Sequence, residues 1–269
     1  ELVPPSDIIK EIEKRLATID YKNNKVEIGF FGGNFTGLSI IEQKSYLEIA
    51  QRYIDEGKIK GIRFSTRPDY INSEILNFLK NYTVSTIELG IQSFDDNVLS
   101  LCERNYSSEV AVSASKQIIN YGFRLGMQIM IGLPGDNEEI IMDTAKKVIE
   151  LKASDLRIYP TLVIKNTKLE KMFRDGTYMP LSINEAIEQT TKLILFFENT
   201  NINIIRVGLH PSENLITGKD IIAGPFHVSF RQLVMTKIWQ EKLKKYVPNE
   251  YIDKTLIIET VENNLEYVI

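Results

Sequence analysis

The feature of this sequence that most restricts its fold is a regular alternation of short apolar runs with longer segments of helical periodicity. In the first unit, the apolar run Val26–Phe31 precedes helical spacing from Ser39 to Glu56, and Gly57 ends the helix. The same order recurs, with apolar runs at 61–65, 86–89, 125–131, 155–158 and 204–207, and helical segments at 72–81, 95–121, 137–151 and 183–198. Because only a crossover helix returns the chain to the same end of a sheet, this order predicts parallel strands.

Five or six such units favour a barrel, although a doubly wound sheet has the same periodicity. We therefore predict an α/β fold in which residues 1–210 form a partial (β/α)6-type TIM-like barrel. Beyond His210 the alternation stops, and a helical stretch at 230–245 precedes a short, partly apolar tail. We predict that residues 211–269 form a small C-terminal extension.

The composition restricts the partners and the compartment. Lys and Arg total 32 against 36 for Asp and Glu, so the net charge of -4 gives no overall attraction to nucleic acid or to an anionic membrane. No apolar run approaches the roughly 20 residues that span a bilayer, and we expect a cytoplasmic protein without membrane contact. A single cysteine, Cys102, excludes a disulfide framework and a cysteine-held metal cluster within this chain alone.

Polar or glycine-rich residues follow five of the predicted strands. In both candidate architectures these strand ends lie on one rim and build the active site. They are Gly32-Gly33-Asn34, 65–68, Gln92-Ser93, 132–135 and Tyr159-Pro160. The first two glycines let backbone groups approach a ligand, and the Gly-Leu-Pro-Gly segment at 132–135 can close over a planar one. Either segment is also explained as an ordinary turn, the second of them capped by Asp136.

Three polar side chains lie in or just after the apolar runs. We expect Glu88 to be paired with an arginine on or after a predicted strand, namely Arg63, Arg67 or Arg157. Gln92, at the rim, is the better ligand candidate because its amide both donates and accepts hydrogen bonds. Gln128 needs partners, which either the neighbouring backbone or a bound ligand can supply.

Other patterns of catalytic chemistry are absent from the sequence. His210 and His227 lack the spacing of zinc ligands. There is no nucleophile elbow, Walker loop or dinucleotide fingerprint. Tyr159 and Lys165 flank a proline-containing loop, and we take them as the candidate catalytic residues, with ordinary surface positions as the alternative.

Five short motifs follow the predicted strands in order. They are GFFGGNFTGL, STRPDY, IELGIQSFDDNVL, MIGLPG and RIYPTLVIKNTKLEKMFRDGTY. As an ordered set they resemble the radical S-adenosylmethionine superfamily, and within it the branch containing the catalytic subunit of the elongator tRNA-modifying complex. The resemblance implies two cofactors, S-adenosyl-L-methionine and a [4Fe-4S] cluster that cleaves it reductively to a 5'-deoxyadenosyl radical. It also implies a reductase that supplies the electrons.

By motif position, the resemblance implies an S-adenosylmethionine site on the predicted rim. Gly32, Gly33 and Asn34 would line the methionine amino group. Four further side chains would contact the cofactor, as in the related coproporphyrinogen oxidase, namely Arg67, Gln92, Arg104 and Gln128. Gly132 and Pro134, in the Gly-Leu-Pro-Gly segment, would support the adenine.

Two departures from the family pattern affect the expected function. The three-cysteine loop that holds the cluster belongs ahead of residue 1, Cys102 does not replace it, and the chain begins with Glu1 instead of Met. We expect the cluster ligands upstream of residue 1, so that the full-length form is the enzyme and this chain alone lacks the cluster. A cluster-free relative is the alternative. The residues after His210 are too few for the acetyltransferase domain of the elongator subunit.

The leading hypothesis is a radical enzyme that acts on an RNA base, first of all in tRNA. Such a base must leave its stack to enter a pocket, while basic residues hold the backbone. Four lysines of the C-terminal helical stretch can assist or remain solvated, namely Lys237, Lys242, Lys244 and Lys245. The alternatives are a radical enzyme acting on a small metabolite, and a non-catalytic barrel that binds an adenosyl ligand or RNA.

Overall fold

The computed structural model describes residues 3–210 and 213–246. Its strands are β1 Glu27–Phe30, β2 Gly61–Thr66, β3 Val84–Gln92, β4 Arg124–Ile131, β5 Asp155–Pro160, β6 Val163–Ile164, β7 Asn203–Val207 and β8 Ile221–Ala223. Its helices are α1 Pro5–Leu16, α2 Ile40–Asp55, α3 Ser73–Leu79, α4 Asp96–Leu101, α5 Ser108–Asn120, α6 Glu138–Glu150, α7 Lys168–Arg174, α8 Ile183–Phe197, α9 Glu213–Ile216 and α10 Phe230–Tyr246. In this part of the chain, no helix combines the length and the apolar character needed to cross a membrane. The apolar tail predicted after α10 lies outside the described residues.

Six strands form one sheet in the order β1-β2-β3-β4-β5-β7. From β1 to β4, each strand pairs in parallel with the next. A doubly wound sheet reverses its strand order partway, whereas a barrel adds each strand beside the preceding one. The sequential order therefore confirms the predicted α/β fold with a partial TIM-like barrel.

Contacts divide the chain into two units, residues up to 129 with 146–156, and residues 130–145 with those from 157 onward. The predicted boundary at residue 210 stays a prediction. In the first unit, strands and helices bury large apolar side chains, including Leu47, Tyr53, Ile62, Phe64, Leu76, Ile87, Leu89 and Ile118. Since full burial of such a side chain contributes about 1.5–3 kcal/mol, these contacts hold the helices against the strands.

The bounds of helix α2 follow from the residues at its two ends. Ser39 accepts a hydrogen bond from the Glu42 backbone N–H, and the Glu42 carboxylate accepts one from the Ser39 N–H, which forms a capping box. At the other end Gly57 adopts a φ of +74°, which stops the helix. The helix predicted from Ser39 to Glu56 is therefore confirmed.

A cluster of charged side chains, the Arg63 cluster, crosses the strands of the first unit. The Arg63 guanidinium lies 2.6 Å from Glu88, 3.1 Å from Asp155 and 3.4 Å from Glu27. The predicted pairing of Glu88 with one of three arginines is thus confirmed for Arg63. Glu27 and Asp155 are the first residues of β1 and β5, so the cluster lies toward the amino ends of the strands, away from the rim.

The surroundings of Glu27 lower the pKa of its carboxyl group. Burial alone would raise the pKa of Glu27, but the hydrogen bond from Ser85 and the charges of Lys25 and Arg63 together hold it below its ordinary value. A lowered pKa means that folding favours the charged carboxylate. The resulting stabilisation is present above the ordinary pKa and is lost as the pH falls.

The second unit contains elements that the sequence analysis did not predict. Strands β6 and β8 pair antiparallel, joining Val163 to Ala223 and Ile164 to Ile221, in a region that the sequence analysis left as loops. Helix α7 follows β6, and its N-cap Thr167 accepts a hydrogen bond from the Glu170 N–H. A strand as short as β6 shows no periodicity, so its pairing was not predictable from the pattern.

Candidate functional site

The turn after β1 leaves its backbone open. Gly32 and Gly33 are exposed, and Gly32 has a φ of +98°, a conformation that favours glycine. A Cβ atom built on either residue meets nothing within 4 Å. The turn therefore leaves room for a ligand to approach its backbone, while the Gly33 carbonyl accepts a hydrogen bond from the Ser65 hydroxyl at 3.3 Å.

The Asn34 side chain is held by the end of β2. Its Oδ1 accepts hydrogen bonds from the Thr66 hydroxyl at 2.6 Å and from the Arg67 backbone N–H at 3.1 Å. The Thr36 hydroxyl lies 2.5 Å from that of Thr66, and both threonines are buried. The segment after β1 and the end of β2 are thus joined by a continuous polar contact.

Helix α2 supports the same segment from behind. The buried Gln43 donates its Nε2–H to the carbonyl oxygens of Leu38 at 2.8 Å and Thr36 at 3.3 Å. We call Asn34, Thr36, Gln43 and Thr66 the rim brace. The sequence analysis predicted a ligand contact only for Asn34 and placed Thr66 on the rim within the segment 65–68, whereas Thr36 and Gln43 are common residue types without a distinctive pattern.

Arg67 is engaged in an ion pair at the rim. Its Nε and Nη2 donate to the two oxygens of Asp69 at 2.9 and 2.8 Å, a bidentate geometry. This hydrogen-bonded pairing raises the pKa of Arg67. The guanidinium carbon also lies 5.8 Å from the ring centroid of Tyr70 and 5.7 Å from that of Tyr106. The structure therefore presents Arg67 at the rim with its charge already balanced.

The end of β3 has a strained backbone at a predicted site residue. Gln92 has a φ of 68°, which is uncommon outside glycine, and only 8% of the residue is exposed. The Tyr106 hydroxyl contacts the carbonyl oxygens of Gly90 at 2.9 Å and Ile91 at 3.0 Å. Strain of this kind persists where surrounding contacts enforce it. Tyr106, which the sequence analysis missed, therefore holds this strand end in place.

We expect the wild-type protein to lose stability at alkaline pH, and we expect Tyr106→Phe to lose less over the same pH range. Burial raises the pKa of Tyr106 to about 12. Because this lies above the ordinary tyrosine value near 10, the stabilisation is full below about pH 10 and is lost as the pH rises toward 12, by roughly 2–3 kcal/mol. Urea unfolding between about pH 9 and pH 12 would measure the loss. Tyr70→Phe, at a half-exposed tyrosine on the same rim, serves as the control. Equal alkaline losses in wild type and Tyr106→Phe would contradict the assignment.

Arg104 lines an open cavity in the loop between α4 and α5. The cavity has a volume of about 900 Å³ and is lined by Asp96, Ser100, Glu103, Arg104, Asn105, Tyr106 and Ser107. Tyr106 belongs both to this lining and to the contact with the end of β3. Arg104 therefore shares a cavity with Tyr106, the residue that contacts the end of β3.

Gln128 lies in the Arg63 cluster. Its Nε2 lies 3.4 Å from Oε2 of Glu88, whose other oxygen is paired with Arg63. This partner is a carboxylate side chain, whereas the sequence analysis considered the backbone or a ligand. The contact of Gln128 with S-adenosylmethionine stays a prediction.

In the second unit, the Gly-Leu-Pro-Gly segment forms a tight turn. Gly132 has a φ of +71°, and a Cβ built there would lie 2.8 Å from Leu181. Its carbonyl accepts from the Tyr178 hydroxyl at 2.6 Å and its N–H donates to Asp136 at 3.1 Å. Pro134 is buried in the turn. The helix cap is Asn137, whose Oδ1 accepts from the Ile140 N–H, so Asp136 stabilises the turn and does not cap the helix as the alternative interpretation held.

The two candidate catalytic residues differ in their surroundings. Tyr159 is half-buried near the end of β5. Lys165 is exposed just after β6, and its Nζ donates to the backbone oxygen of Lys219 at 2.5 Å. Their catalytic roles stay predictions.

The residues of this chain do not fit an iron–sulfur cluster. Cys102 is the one cysteine in the sequence and lies half-buried at the end of α4. Within residues 3–210 and 213–246, no group of three or more His, Cys, Asp or Glu side chains is arranged to hold a metal ion. Such clusters need several thiolate ligands, which one cysteine does not supply.

Two family models match most of the chain. The Radical SAM superfamily model matches residues 3–148, and the Radical_SAM C-terminal domain model matches residues 154–240. Together they include every residue predicted for the site.

Relatives in sequence include a tRNA uridine(34) acetyltransferase and a protein of the Elongator complex. The chain is 28% identical over 200 residues to a tRNA uridine(34) acetyltransferase of Methanocaldococcus jannaschii. The aligned residues make up 67% of this chain and 36% of that protein. It is 24% identical over 201 residues to Elongator complex protein 3 of Saccharomyces cerevisiae, again with 67% and 36% covered. The chain thus spans about a third of the length of these relatives.

A solved structure shows the same fold. The archaeal Methanocaldococcus infernus Elp3 with an N-terminal deletion matches with a TM-score of 0.77 and 23% identity, over 89% of this chain and 59% of that one. The likeness agrees with the sequential strand order of the partial barrel.

Proposed function

Because this chain belongs to the radical S-adenosylmethionine superfamily, we propose that it is the S-adenosylmethionine-binding barrel of an enzyme that modifies a base in tRNA. The substrate class is supported by relatives whose names describe tRNA uridine modification. When bound, S-adenosylmethionine supplies the adenosyl group for radical chemistry. The proposal includes a reductase as the source of electrons.

One observation carries the proposal, namely the open glycine turn beside the rim brace. No neighbouring side chain covers the positions where Gly32 and Gly33 lack a Cβ, the Gly33 carbonyl accepts from the Ser65 hydroxyl, and Asn34 is fixed to the end of β2. A small ligand binds well where its partners are preorganised, because less freedom is lost on binding. We propose that the amino acid part of S-adenosylmethionine binds at this turn.

The remaining rim residues have proposed supporting roles. Arg104 lines the same cavity as Tyr106, whose hydroxyl contacts the two residues before Gln92, and we assign Arg104 and Gln92 to the nucleoside part of the ligand. Arg67 is paired with Asp69, and we propose that the flat face of its guanidinium contacts the ligand. Gly132 and Pro134 stay proposed for the adenine. Lys165 uses one of its three ammonium donors on the backbone oxygen of Lys219, and it stays proposed as a catalytic residue together with Tyr159.

The iron–sulfur cluster is a separate matter, since the single cysteine of this chain does not supply the thiolates that such a cluster needs. What the chain itself does is bind and orient the ligand and the base. An unstacked base entering such a rim would be recognised by stacking and by hydrogen bonds to its edge.

Calorimetric titration of this chain with S-adenosylmethionine tests the proposed function. We expect saturable binding of one ligand per chain, with competition by 5'-methylthioadenosine, which keeps the nucleoside and lacks the amino acid. No heat of binding at ligand concentrations up to about 1 mM would contradict the proposal.

Binding to tRNA gives a second prediction. We expect labelled tRNA to bind with an affinity that falls at least about tenfold between roughly 50 and 200 mM salt, because phosphate contacts release counterions. The affinity for neutral 5'-methylthioadenosine should stay constant over the same range. Binding of the adenosyl ligand without any tRNA binding would favour a small metabolite as substrate.

A further inference from the structure

The segment from β6 to the end of α7 carries a local excess of positive charge. Residues 163–174 contain one acidic side chain, Glu170, in a chain whose net charge is -4. The basic side chains of the segment are Lys165, Lys168, Lys171 and Arg174. All of these basic residues are exposed, whereas the apolar residues of α7 are half-buried. The segment therefore presents its cations to solvent.

Glu170 is engaged chiefly by one of these residues, Arg174. Its Oε1 accepts hydrogen bonds from Nε and Nη2 of Arg174 at 2.9 and 2.6 Å, and its Oε2 accepts one from the Asn166 backbone N–H at 2.7 Å. The bond from Arg174 is the largest cause of the lowered pKa of Glu170, and the charge of Lys165 makes a smaller contribution. Because both carboxylate oxygens are engaged in this way, the excess charge of the segment lies on its lysines.

The pairing of β6 with β8 brings a further lysine to this segment. The Lys165 backbone N–H donates to the carbonyl oxygen of Asp220 at 2.9 Å, and its Nζ donates to that of Lys219 at 2.5 Å. Lys219 is exposed, so the Lys165 ammonium lies against a residue with an exposed cation of its own. Within residues 3–210 and 213–246, no ion pair joins Lys171 or Lys219 to a carboxylate. We call Lys165, Lys168, Lys171 and Lys219 the basic patch.

The small sheet that carries the basic patch is fixed to the carboxyl end of β5. Thr161 follows β5, and its N–H and hydroxyl both donate to the carbonyl oxygen of Ile131, at 3.1 and 2.8 Å. Gly224 follows β8 with a φ of +112°, and a Cβ built there would lie only 2.9 Å from the Thr161 carbonyl oxygen. In barrels the carboxyl ends of the strands carry the active site. The basic patch therefore belongs to a sheet that is anchored where a substrate would enter the second unit.

This inference rests on the proposed function. We infer that the basic patch binds the phosphate backbone of tRNA beside the base that is modified. Lysine ammonium groups bind phosphates as point charges, and such contacts hold a nucleic acid in position without reading its sequence. An anionic membrane is the other polyanion that lysines attract, but helices that bind membranes also present an apolar face to the lipid. The apolar residues of α7 are half-buried, which favours RNA.

The basic patch differs from the lysines of α10 that the sequence analysis considered. Lys237 lies 3.6 Å from Glu241, and Lys242 contacts Glu198 and also lies over the Trp239 ring. Their charges are therefore balanced by neighbouring carboxylates. The inference thus moves the expected contact with the RNA backbone from α10 to the segment around β6.

The salt dependence of tRNA binding tests the inference. In Lys171→Gln/Lys219→Gln, a plot of the logarithm of the association constant against the logarithm of salt concentration should be shallower by about 1.5–2 than in wild type, since each lost phosphate contact removes about 0.7–0.9. The affinity at roughly 50 mM salt should fall at least about tenfold, and by a similar factor for tRNAs of different sequence. Lys165 is kept unchanged because the proposed function gives it a catalytic role.

Two further variants serve as controls. Lys147→Gln/Lys192→Gln removes the same amount of charge, but these lysines are paired with Glu150 and Glu138. It should keep a slope close to that of wild type. Lys171→Arg/Lys219→Arg retains both charges and should also keep the wild-type slope, which separates a loss of charge from a loss of shape.

The outcomes separate this inference from the proposed function. Failure of wild-type protein to bind tRNA would remove the substrate class of the proposed function, and this inference with it. Equal slopes in the two glutamine variants would overturn the inference and leave the proposed function standing. A loss found only in Lys237→Gln/Lys242→Gln would overturn it in favour of α10. Unchanged tRNA binding in Lys171→Gln/Lys219→Gln, together with lost binding to phosphatidylserine vesicles, would overturn it in favour of a membrane.

Discussion

Arg63→Met is expected to lower the free energy of unfolding by about 3–5 kcal/mol at neutral pH. Arg63 pairs with three carboxylates, and the side chains of Glu88 and Asp155 are only 1% and 2% exposed. Methionine fills a similar space but leaves those charges without their shared partner. Buried charges that lose their partner are among the most destabilising changes in a protein. Urea denaturation monitored by circular dichroism would measure the difference.

Arg124→Met is the matched control for this prediction. Arg124 also contacts Asp155, at 3.2 Å, but its side chain is 47% exposed. Because exposed ion pairs contribute about 0–1 kcal/mol, this variant should remain close to wild type. If Arg63→Met were no less stable than Arg124→Met, the Arg63 cluster would not be a determinant of the fold.

The loss of unfolding free energy in Arg63→Met should also depend on pH. The charge of Arg63 helps to hold the pKa of Glu27 below its ordinary value, so part of the wild-type stability is present near neutral pH and is lost in acid. The variant lacks the part of that contribution due to Arg63 and keeps the parts due to Ser85 and Lys25. The difference between the two unfolding free energies should therefore become smaller as the pH falls and Glu27 binds a proton.

The alternation of apolar runs and helices predicts most of the fold because each of its signals is local. Ser39, Glu42 and Gly57 specify the bounds of α2 within one stretch of sequence. The run at 125–131 became β4, which spans Arg124–Ile131. By contrast, β3 extends three residues beyond the predicted run, to Gln92, because its end is held by Tyr106 from a later loop.

The site was predictable only in part because its key contacts join ordinary residues far apart in sequence. Thr66 and Asn34 are separated by 32 positions, and neither residue type indicates that a hydroxyl will occupy the amide oxygen. The motif resemblance implies that Asn34 contacts the ligand, but it does not predict that Thr66 and Arg67 donate hydrogen bonds to its amide oxygen. Gln128 shows the same limit, since its contact with Glu88 follows from the packing of β3 and β4 in the first unit.

In the first unit, the Arg63 cluster and the predicted rim residues lie toward opposite ends of the strands. The Arg63 cluster lies toward the amino ends, whereas Gly32, Asn34, Arg67 and Gln92 lie at the carboxyl ends. In barrels the carboxyl ends carry the active site and the opposite end carries stability. Substitutions in the cluster should therefore change unfolding free energies, while substitutions at the rim should change ligand affinity.

Gly32→Ala is expected to have the largest effect on ligand binding. The residue has a φ of +98° and open surroundings, so a methyl group would both strain the turn and occupy the space in front of its backbone groups. We expect the affinity for S-adenosylmethionine to fall by about a hundredfold or more, which is about 2.7 kcal/mol at room temperature. Calorimetric titration of both proteins would measure this change.

Gly57→Ala provides a control that also places a side chain on a residue with positive φ. Gly57 has a φ of +74°, and a Cβ built there also meets nothing within 4 Å, but it follows α2 and lies away from the rim. Each substitution places a side chain at positive φ, so each should lower the free energy of unfolding by about 1–2 kcal/mol. Only Gly32→Ala should change the dissociation constant. Equal affinities in the two variants would show that the turn after β1 does not contact the ligand, and would remove the observation on which the proposed function rests.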